Sequence, residues 1–179
     1  ALIYLASCPS VNIRAISTVM GNASLDNCTA NALFLKEKFR LTAPIYRGAS
    51  LCINGKEPRS FPDHVHGKNG LGDVVPINTK LCCESHSAHS AMANLAFQSP
   101  SKITLLAIGQ LTNVALAMLA HVNFSKDLNE IILMGGSLNF PGNVTAWAEA
   151  NIYGDPESAD IVLRSEVPIT MVGLDVSMK

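Results

Sequence analysis

The chain has 179 residues, of which 48% are hydrophobic and 15% are charged, and its formal net charge is −1. This length is enough for one domain with a sizeable core, and the composition is typical of a soluble globular protein. The near-zero charge and the lack of a basic cluster argue against nucleic acid as a partner, and no apolar run reaches the roughly 18 residues of a membrane span.

The predicted elements alternate between helices and strands along the chain. The first six residues are typical of a helix interior, and alternating β-branched residues predict a strand over 11–19. Ser24 is a predicted N-cap. The further predicted elements are a helix from Leu25 to about Phe39, a strand at 44–47, a helix at 83–97, a strand at 102–107, a helix at 111–120, a strand at 130–134, a helix at 156–164 and a strand at 169–173.

This alternation predicts the fold class. Strands joined through helices by short connections favour an α/β fold with an open, mainly parallel sheet and helices on both faces. No linker composition or internal repeat interrupts it, so we expect residues 1–179 to form part of a single domain. Both ends lie in or next to apolar elements, and the fold is therefore expected to be truncated at both ends.

The cysteines predict a reducing environment. Cys8, Cys28, Cys52, Cys82 and Cys83 form an odd set without metal-site spacing. A disulfide framework is unexpected in a chain of this length. We therefore expect free thiols and a cytoplasmic location.

Glycines and polar residues follow each predicted strand. The segments are Gly21-Asn22, the histidine-containing loop after Gly48, Ile108-Gly109-Gln110, Gly135-Gly136 and Gly173-Leu174-Asp175. The carboxyl ends of parallel strands meet at one edge of a sheet, where ligands of open α/β sheets bind. A small polar pocket is expected there.

The segment at 142–151, GNVTAWAEAN, places Asn143, Glu149 and Asn151 within nine positions. Amide and carboxylate groups can form paired hydrogen bonds with vicinal hydroxyls. Neither GxGxxG nor GxxxxGK[ST] is present, which argues against nucleotide phosphates. The pattern favours a sugar-like ligand, and the alternative is a polar surface connection with a glycosylation sequon at Asn143.

Several motifs together resemble the nucleoside hydrolase family of the inosine–uridine-preferring type. They are VHG at 65–67 with GLG at 70–72, GQLTN at 109–113, LMGG at 133–136, GNVTAWAEANIYGDPESA at 142–159 and MVGLD at 171–175. The resemblance covers the whole chain in order. It implies a Rossmann-like nucleoside hydrolase fold and hydrolysis of the N-glycosidic bond of ribonucleosides to ribose and free base. It also implies a role in nucleoside catabolism and a dependence on calcium.

The resemblance implies a role for several residues. Asn22, Asn143, Glu149 and Asn151 would contact the ribose. Met134 would lie near the sugar and His66 on the base side of the pocket. The backbone carbonyl of Ile108 would be a calcium ligand.

The resemblance also implies an aspartate motif, DxDxGxDD, before Ala1 and a His-Asp pair beyond Lys179. We therefore assign no catalytic residue within the chain, and we expect that these residues alone do not bind calcium tightly. Ala150 occupies a position where many members have Phe, and Met178 one where many have His.

Two hypotheses follow from these departures. In the first, the sequence belongs to an active hydrolase. In the second, it is a catalytically inactive truncated form that keeps a partial ribose-binding surface or has a role in assembly. Association into a homo-oligomer is left open.

Overall fold

A computed structural model describes residues 1–58, 61–74 and 79–178 of the chain. The strands in these residues are β1 (Ile16–Ser17), β2 (Ile45–Tyr46), β3 (Ile103–Ala107), β4 (Leu128–Met134) and β5 (Ile169–Val172). The helices are α1 (Leu2–Ser7), α2 (Leu25–Lys38), α3 (Asp63–His66), α4 (Ala88–Gln98), α5 (Thr112–Ala120), α6 (Phe124–Asp127), α7 (Ala150–Gly154), α8 (Pro156–Leu163) and α9 (Leu174–Ser177).

The strand pairs of the described residues are all parallel. β1 pairs with β2, and a second sheet has the order β3-β4-β5. Helices lie between β3 and β4 and between β4 and β5, which is how parallel neighbours are connected. The predicted parallel α/β arrangement is confirmed.

The core lies between the three-stranded sheet and helices α4, α5 and α8. Ile131 and Leu133 of β4 are at most 1% exposed, and they pack in a cluster with Val114 of α5 and Val162 of α8. Alanines at many core positions let the helices approach the sheet closely. Burial alternates along β3, and Leu106, on the face opposite the core, is 40% exposed.

Serine and aspartate side chains form local hydrogen bonds that set the starts of three helices, and Glu149 caps a fourth, α7. The side chains of Ser24, Ser87 and Asp155 accept hydrogen bonds from backbone N–H groups in the first turns of α2, α4 and α8. Pro156 follows Asp155 at the first helical position, where a missing N–H costs nothing. The predicted starts of α2 and α8 are thereby confirmed.

The structure differs from the predicted elements most clearly at three places. Of the strand predicted at 11–19, only Ile16–Ser17 pairs, because its partner β2 is two residues long. The helix predicted from residue 83 begins at Ala88, since Glu84 first pairs in extended conformation beside Tyr46 and Ser87 then caps the helix. The connection between the predicted helix at 111–120 and the predicted strand at 130–134 contains the short helix α6, and β4 begins at Leu128.

No helix among the described residues is both long enough and apolar enough to cross a membrane.

Candidate functional site

Glu149 is a buried carboxylate at the start of α7, with 3% of its surface exposed. Its Oε2 atom accepts hydrogen bonds from the backbone N–H groups of Gly136 (3.0 Å), Asn151 (2.9 Å) and Ile152 (3.2 Å). Two of these donors belong to the first turn of α7, and the third belongs to the turn after β4. Within the described chain Oε1 accepts no hydrogen bond, so one oxygen holds the carboxylate in place and the other is available.

Asn151 is fixed by its amide nitrogen. Nδ2 donates to the carbonyl oxygen of Met134 at 2.9 Å and lies 3.3 Å from the Met134 sulfur. This pairing sets the orientation of the amide, because only the NH₂ group can donate to a carbonyl. Oδ1 of Asn151 is therefore the atom that can accept a hydrogen bond from a ligand.

Asn143 is exposed and lies in a tight loop after β4. Its Oδ1 accepts from the N–H of Ala150 at 2.9 Å, and the carbonyl oxygen of Ala148 accepts from the N–H groups of Asn143 and Val144. The loop therefore folds back onto the start of α7. Since Oδ1 is used inside the loop, Nδ2 is the atom that Asn143 offers to a ligand.

The structure thus brings the three predicted residues of the 142–151 segment together. The groups left available are one donor, Asn143 Nδ2, and two acceptors, Glu149 Oε1 and Asn151 Oδ1. A hydroxyl group can donate one hydrogen bond and accept others. Donors and acceptors of this kind are suited to neighbouring hydroxyls, and binding of a sugar stays a prediction.

Asn22 lies on a different segment, in the turn after β1, and is exposed. The side chain of Gln110 connects this turn with α7. It lies about 4.0 Å from the position that a Cβ atom would have at Gly21, and it fills the space beside Gly154. Ile108, at the carboxyl end of β3, is 54% exposed two residues before Gln110.

His66 ends the one-turn helix α3 and is half-buried. The loop that follows it packs against the beginning of α2, where Asn27 and Asn31 donate to the carbonyl oxygens of Lys68 and Asn69. Gly70 has φ +73°, and a side chain there would collide with Ala23. These contacts bring the His66 loop next to Asn22, although His66 makes no hydrogen bond to the Asn143–Asn151 segment in the described residues.

Three polar residues hold this region together through partners that the sequence did not reveal. Asp155 is fully buried, and its two oxygens accept from Ile53 N–H, Thr112 Oγ1, Ser158 Oγ and Ser158 N–H. Asn113 accepts from Ala49 N–H and donates to the Thr18 carbonyl. Asp175 accepts from Leu138 and Asn139 N–H. The sequence showed the helix start at Asp155-Pro156 and the position of Asp175 after the last predicted strand, but not the partners of these side chains.

The described residues do not form a complete calcium site. No group of three or more His, Cys, Asp or Glu side chains lies close enough in this part of the chain to hold a metal ion. Calcium takes six to eight oxygen ligands, and the Ile108 carbonyl would supply one. The residues present therefore do not fit a calcium ion by themselves.

Several curated proteins are similar to this chain in sequence. The chain is 40% identical over 179 residues to uridine nucleosidase 1 from Arabidopsis thaliana, covering 99% of this chain and 53% of that protein. It is 38% identical over 181 residues to a pyrimidine-specific ribonucleoside hydrolase from Photobacterium profundum, covering 99% of this chain and 56% of that protein. The chain therefore spans about half the length of these relatives.

The chain is also similar to solved structures of nucleoside hydrolases. A plant nucleoside hydrolase matches with a TM-score of 0.96 and 34% identity, over 99% of this chain and 56% of that one. A purine-preferring ribonucleoside hydrolase from Gardnerella vaginalis matches with a TM-score of 0.94 and 32% identity, over 99% and 57%. The family model of the inosine-uridine preferring nucleoside hydrolases matches residues 1–179. The chain belongs to the inosine–uridine-preferring nucleoside hydrolase family.

Proposed function

We propose that the protein hydrolyses the N-glycosidic bond of ribonucleosides, giving ribose and the free base. The observation that carries the proposal is the buried Glu149 carboxylate, which has one oxygen saturated by three N–H groups and the other unused. Oε1 is not among the fully buried side-chain atoms that lack a partner in the described residues, so a ligand hydroxyl can reach it and donate to it. Membership of the family supports the same reaction.

In this proposal the described residues recognise the sugar. Glu149 Oε1 and Asn151 Oδ1 accept hydrogen bonds from ribose hydroxyls, and Asn143 Nδ2 donates to one. Asn22 contacts the ribose from the turn after β1. Met134 lies beside the sugar, and His66 lies on the side of the leaving base.

In this proposal the described residues accelerate the reaction through hydrogen bonds that strengthen in the transition state. Glycosidic bond cleavage passes through an oxocarbenium-like sugar, and hydrogen bonds to its hydroxyls contribute several kcal/mol. Glu149 is rigidly held, so it needs little reorganisation to interact with this sugar. We assign neither the base nor the acid to a residue of this chain.

We also propose calcium as the metal of the complete site, with the Ile108 carbonyl as one ligand. The described residues contain no group of three or more His, Cys, Asp or Glu side chains that could supply the remaining ligands. A single domain over residues 1–179, a cytoplasmic location and association into a homo-oligomer stay predictions.

The test measures release of reducing sugar from uridine and inosine by the whole protein and by Glu149→Gln. We expect kcat/KM to fall at least about 100-fold in the variant, since a charged hydrogen bond to the substrate is lost. Glu157→Gln is the matched control, because Glu157 is exposed and bonds only Asn54 among the described residues. Equal kinetics for wild type and Glu149→Gln would remove Glu149 from the site.

A second candidate is a form without catalysis that keeps a ribose-binding surface. This candidate needs no metal, and no group of three or more His, Cys, Asp or Glu in the described residues could hold one. Calorimetric titration with ribose and with calcium distinguishes the two. Ribose binding without calcium binding or turnover supports the second candidate, and turnover that needs calcium supports the first.

A further inference from the structure

Asp175 lies at the start of α9, on a different element from the ribose-binding segment. Its carboxylate nevertheless holds the beginning of that segment with both oxygens. Oδ2 accepts from Leu138 N–H at 2.9 Å and Oδ1 accepts from Asn139 N–H at 2.7 Å. Two charge-assisted hydrogen bonds to consecutive N–H groups fix the path of the backbone there.

The loop between Gly136 and Glu149 has little apolar packing of its own. Leu138 is 79% exposed, Val144 is 48% exposed and Trp147 is 88% exposed. Burial of these side chains therefore contributes little to holding the loop, and Phe140, at 40% exposed, is the least exposed large hydrophobic residue in it. Polar contacts at the two ends of the loop hold it in place instead, and Asp175 supplies those at Leu138 and Asn139.

A second contact joins the same two elements beside the first. Leu174 N–H donates to the Gly136 carbonyl at 3.0 Å, while Gly136 N–H donates to Glu149 Oε2 at 3.0 Å. The backbone of Gly136 thus lies between the β5–α9 junction and the ribose-binding carboxylate. Gly136 has φ +76°, a conformation that favours glycine, so this geometry is specific.

We propose that Asp175 is a positioning residue for ribose recognition, acting through the 136–139 backbone on Glu149 and Asn143. The inference rests on the proposed function. Without the Asp175 carboxylate, the Leu138 and Asn139 N–H groups lose their acceptors and the start of the loop is released. Gly136 N–H then no longer lies in line with Glu149 Oε2, and the available oxygen Oε1 is displaced from the sugar hydroxyls.

The test compares kcat/KM for uridine with kcat/KM for 2′-deoxyuridine and 3′-deoxyuridine in the whole protein. The ratio between two substrates does not depend on the fraction of folded enzyme, so a merely structural role leaves it unchanged. Asp175→Asn keeps the size of the side chain but places an NH₂ group against an N–H donor. In this variant the ratio of kcat/KM for uridine to kcat/KM for at least one of the two deoxynucleosides should fall toward unity, by about tenfold or more.

Asp160→Asn is the matched control, since this exposed carboxylate on α8 pairs with Arg164 away from the loop. Asp175→Glu provides a second variant that keeps the charge, and partial recovery of the ratio is expected. If wild type hydrolyses uridine and Asp175→Asn keeps the wild-type ratio, the positioning role is overturned while the proposed function stands. If wild type neither hydrolyses nor binds any nucleoside, the proposed function fails and this inference fails with it.

Discussion

Two buried carboxylates lie six positions apart in this chain and are used differently. Asp155 has both oxygens engaged, with four hydrogen bonds from Ile53, Thr112 and Ser158. Glu149 has three hydrogen bonds, all on Oε2, and leaves Oε1 unused. A fully satisfied carboxylate stabilises the fold, whereas a half-satisfied one on a rigid support is ready for a ligand.

The donors differ as well. Asp155 receives two of its hydrogen bonds from residues 102 and 43 positions away, so it joins separate parts of the chain. Glu149 receives its hydrogen bonds from residues within 13 positions. We therefore expect loss of Asp155 to affect global stability and loss of Glu149 to affect function.

Asp155→Ala tests the first half of this comparison and has the largest expected effect. The change leaves Ile53 N–H and the Thr112 hydroxyl buried without acceptors, which costs about 3–5 kcal/mol of unfolding free energy. The Tm of the variant should be lower than that of wild type by roughly 10 °C. Asp160→Ala on the same helix is the control and should change little; a shift no larger than that of the control would show that Asp155 does not stabilise the fold.

Glu149→Gln tests the second half by denaturant unfolding. The side chain keeps its size and one oxygen for the N–H groups, so we expect a loss of about 1–2 kcal/mol, clearly below that of Asp155→Ala. Expressed as a free energy, the loss of kcat/KM should exceed the loss of unfolding free energy. Equal stability losses in the two variants would remove the distinction between the carboxylates.

Gly154 lies between the two carboxylates and allows a third measurement. A Cβ atom at this position would lie 2.2 Å from Nε2 of Gln110 and 2.5 Å from its Cδ. Gly154→Ala should therefore cost about 1–3 kcal/mol through overpacking. In a Gln110→Ala background the clash is gone and the penalty should largely disappear, and additive losses in a double-mutant cycle would contradict this packing.

The smallest expected effect concerns a titratable group away from both carboxylates. Burial, and secondarily the charge of His121, lowers the pKa of His89. The neutral imidazole is favoured in the fold, so its stability contribution is present above about pH 6.5 and is lost as the pH falls through the lowered pKa. His89→Gln should flatten the pH dependence of thermal unfolding slightly below pH 6.5, and an unchanged slope would contradict the shift.

Sequence patterns were most informative where an element depends on its own residues. The cap at Ser24, the Asp155-Pro156 helix start and the apolar runs of β3, β4 and β5 predicted elements that the structure contains. The strand at 11–19 was predicted too long because pairing depends on a partner, and β2 offers two residues. Alternation along one segment carries no information about the length of its neighbour.

The sequence by itself determined the parallel α/β class and placed Asn143, Glu149 and Asn151 on one segment, since both follow from local order and spacing. The tertiary structure decided which atoms of these side chains are available. Glu149 Oε1, Asn143 Nδ2 and Asn151 Oδ1 are available only because the turn after β4 and the start of α7 use the other atoms. It also decided the roles of Asp155 and Asp175, because hydrogen bonds between residues far apart in the chain leave no local pattern.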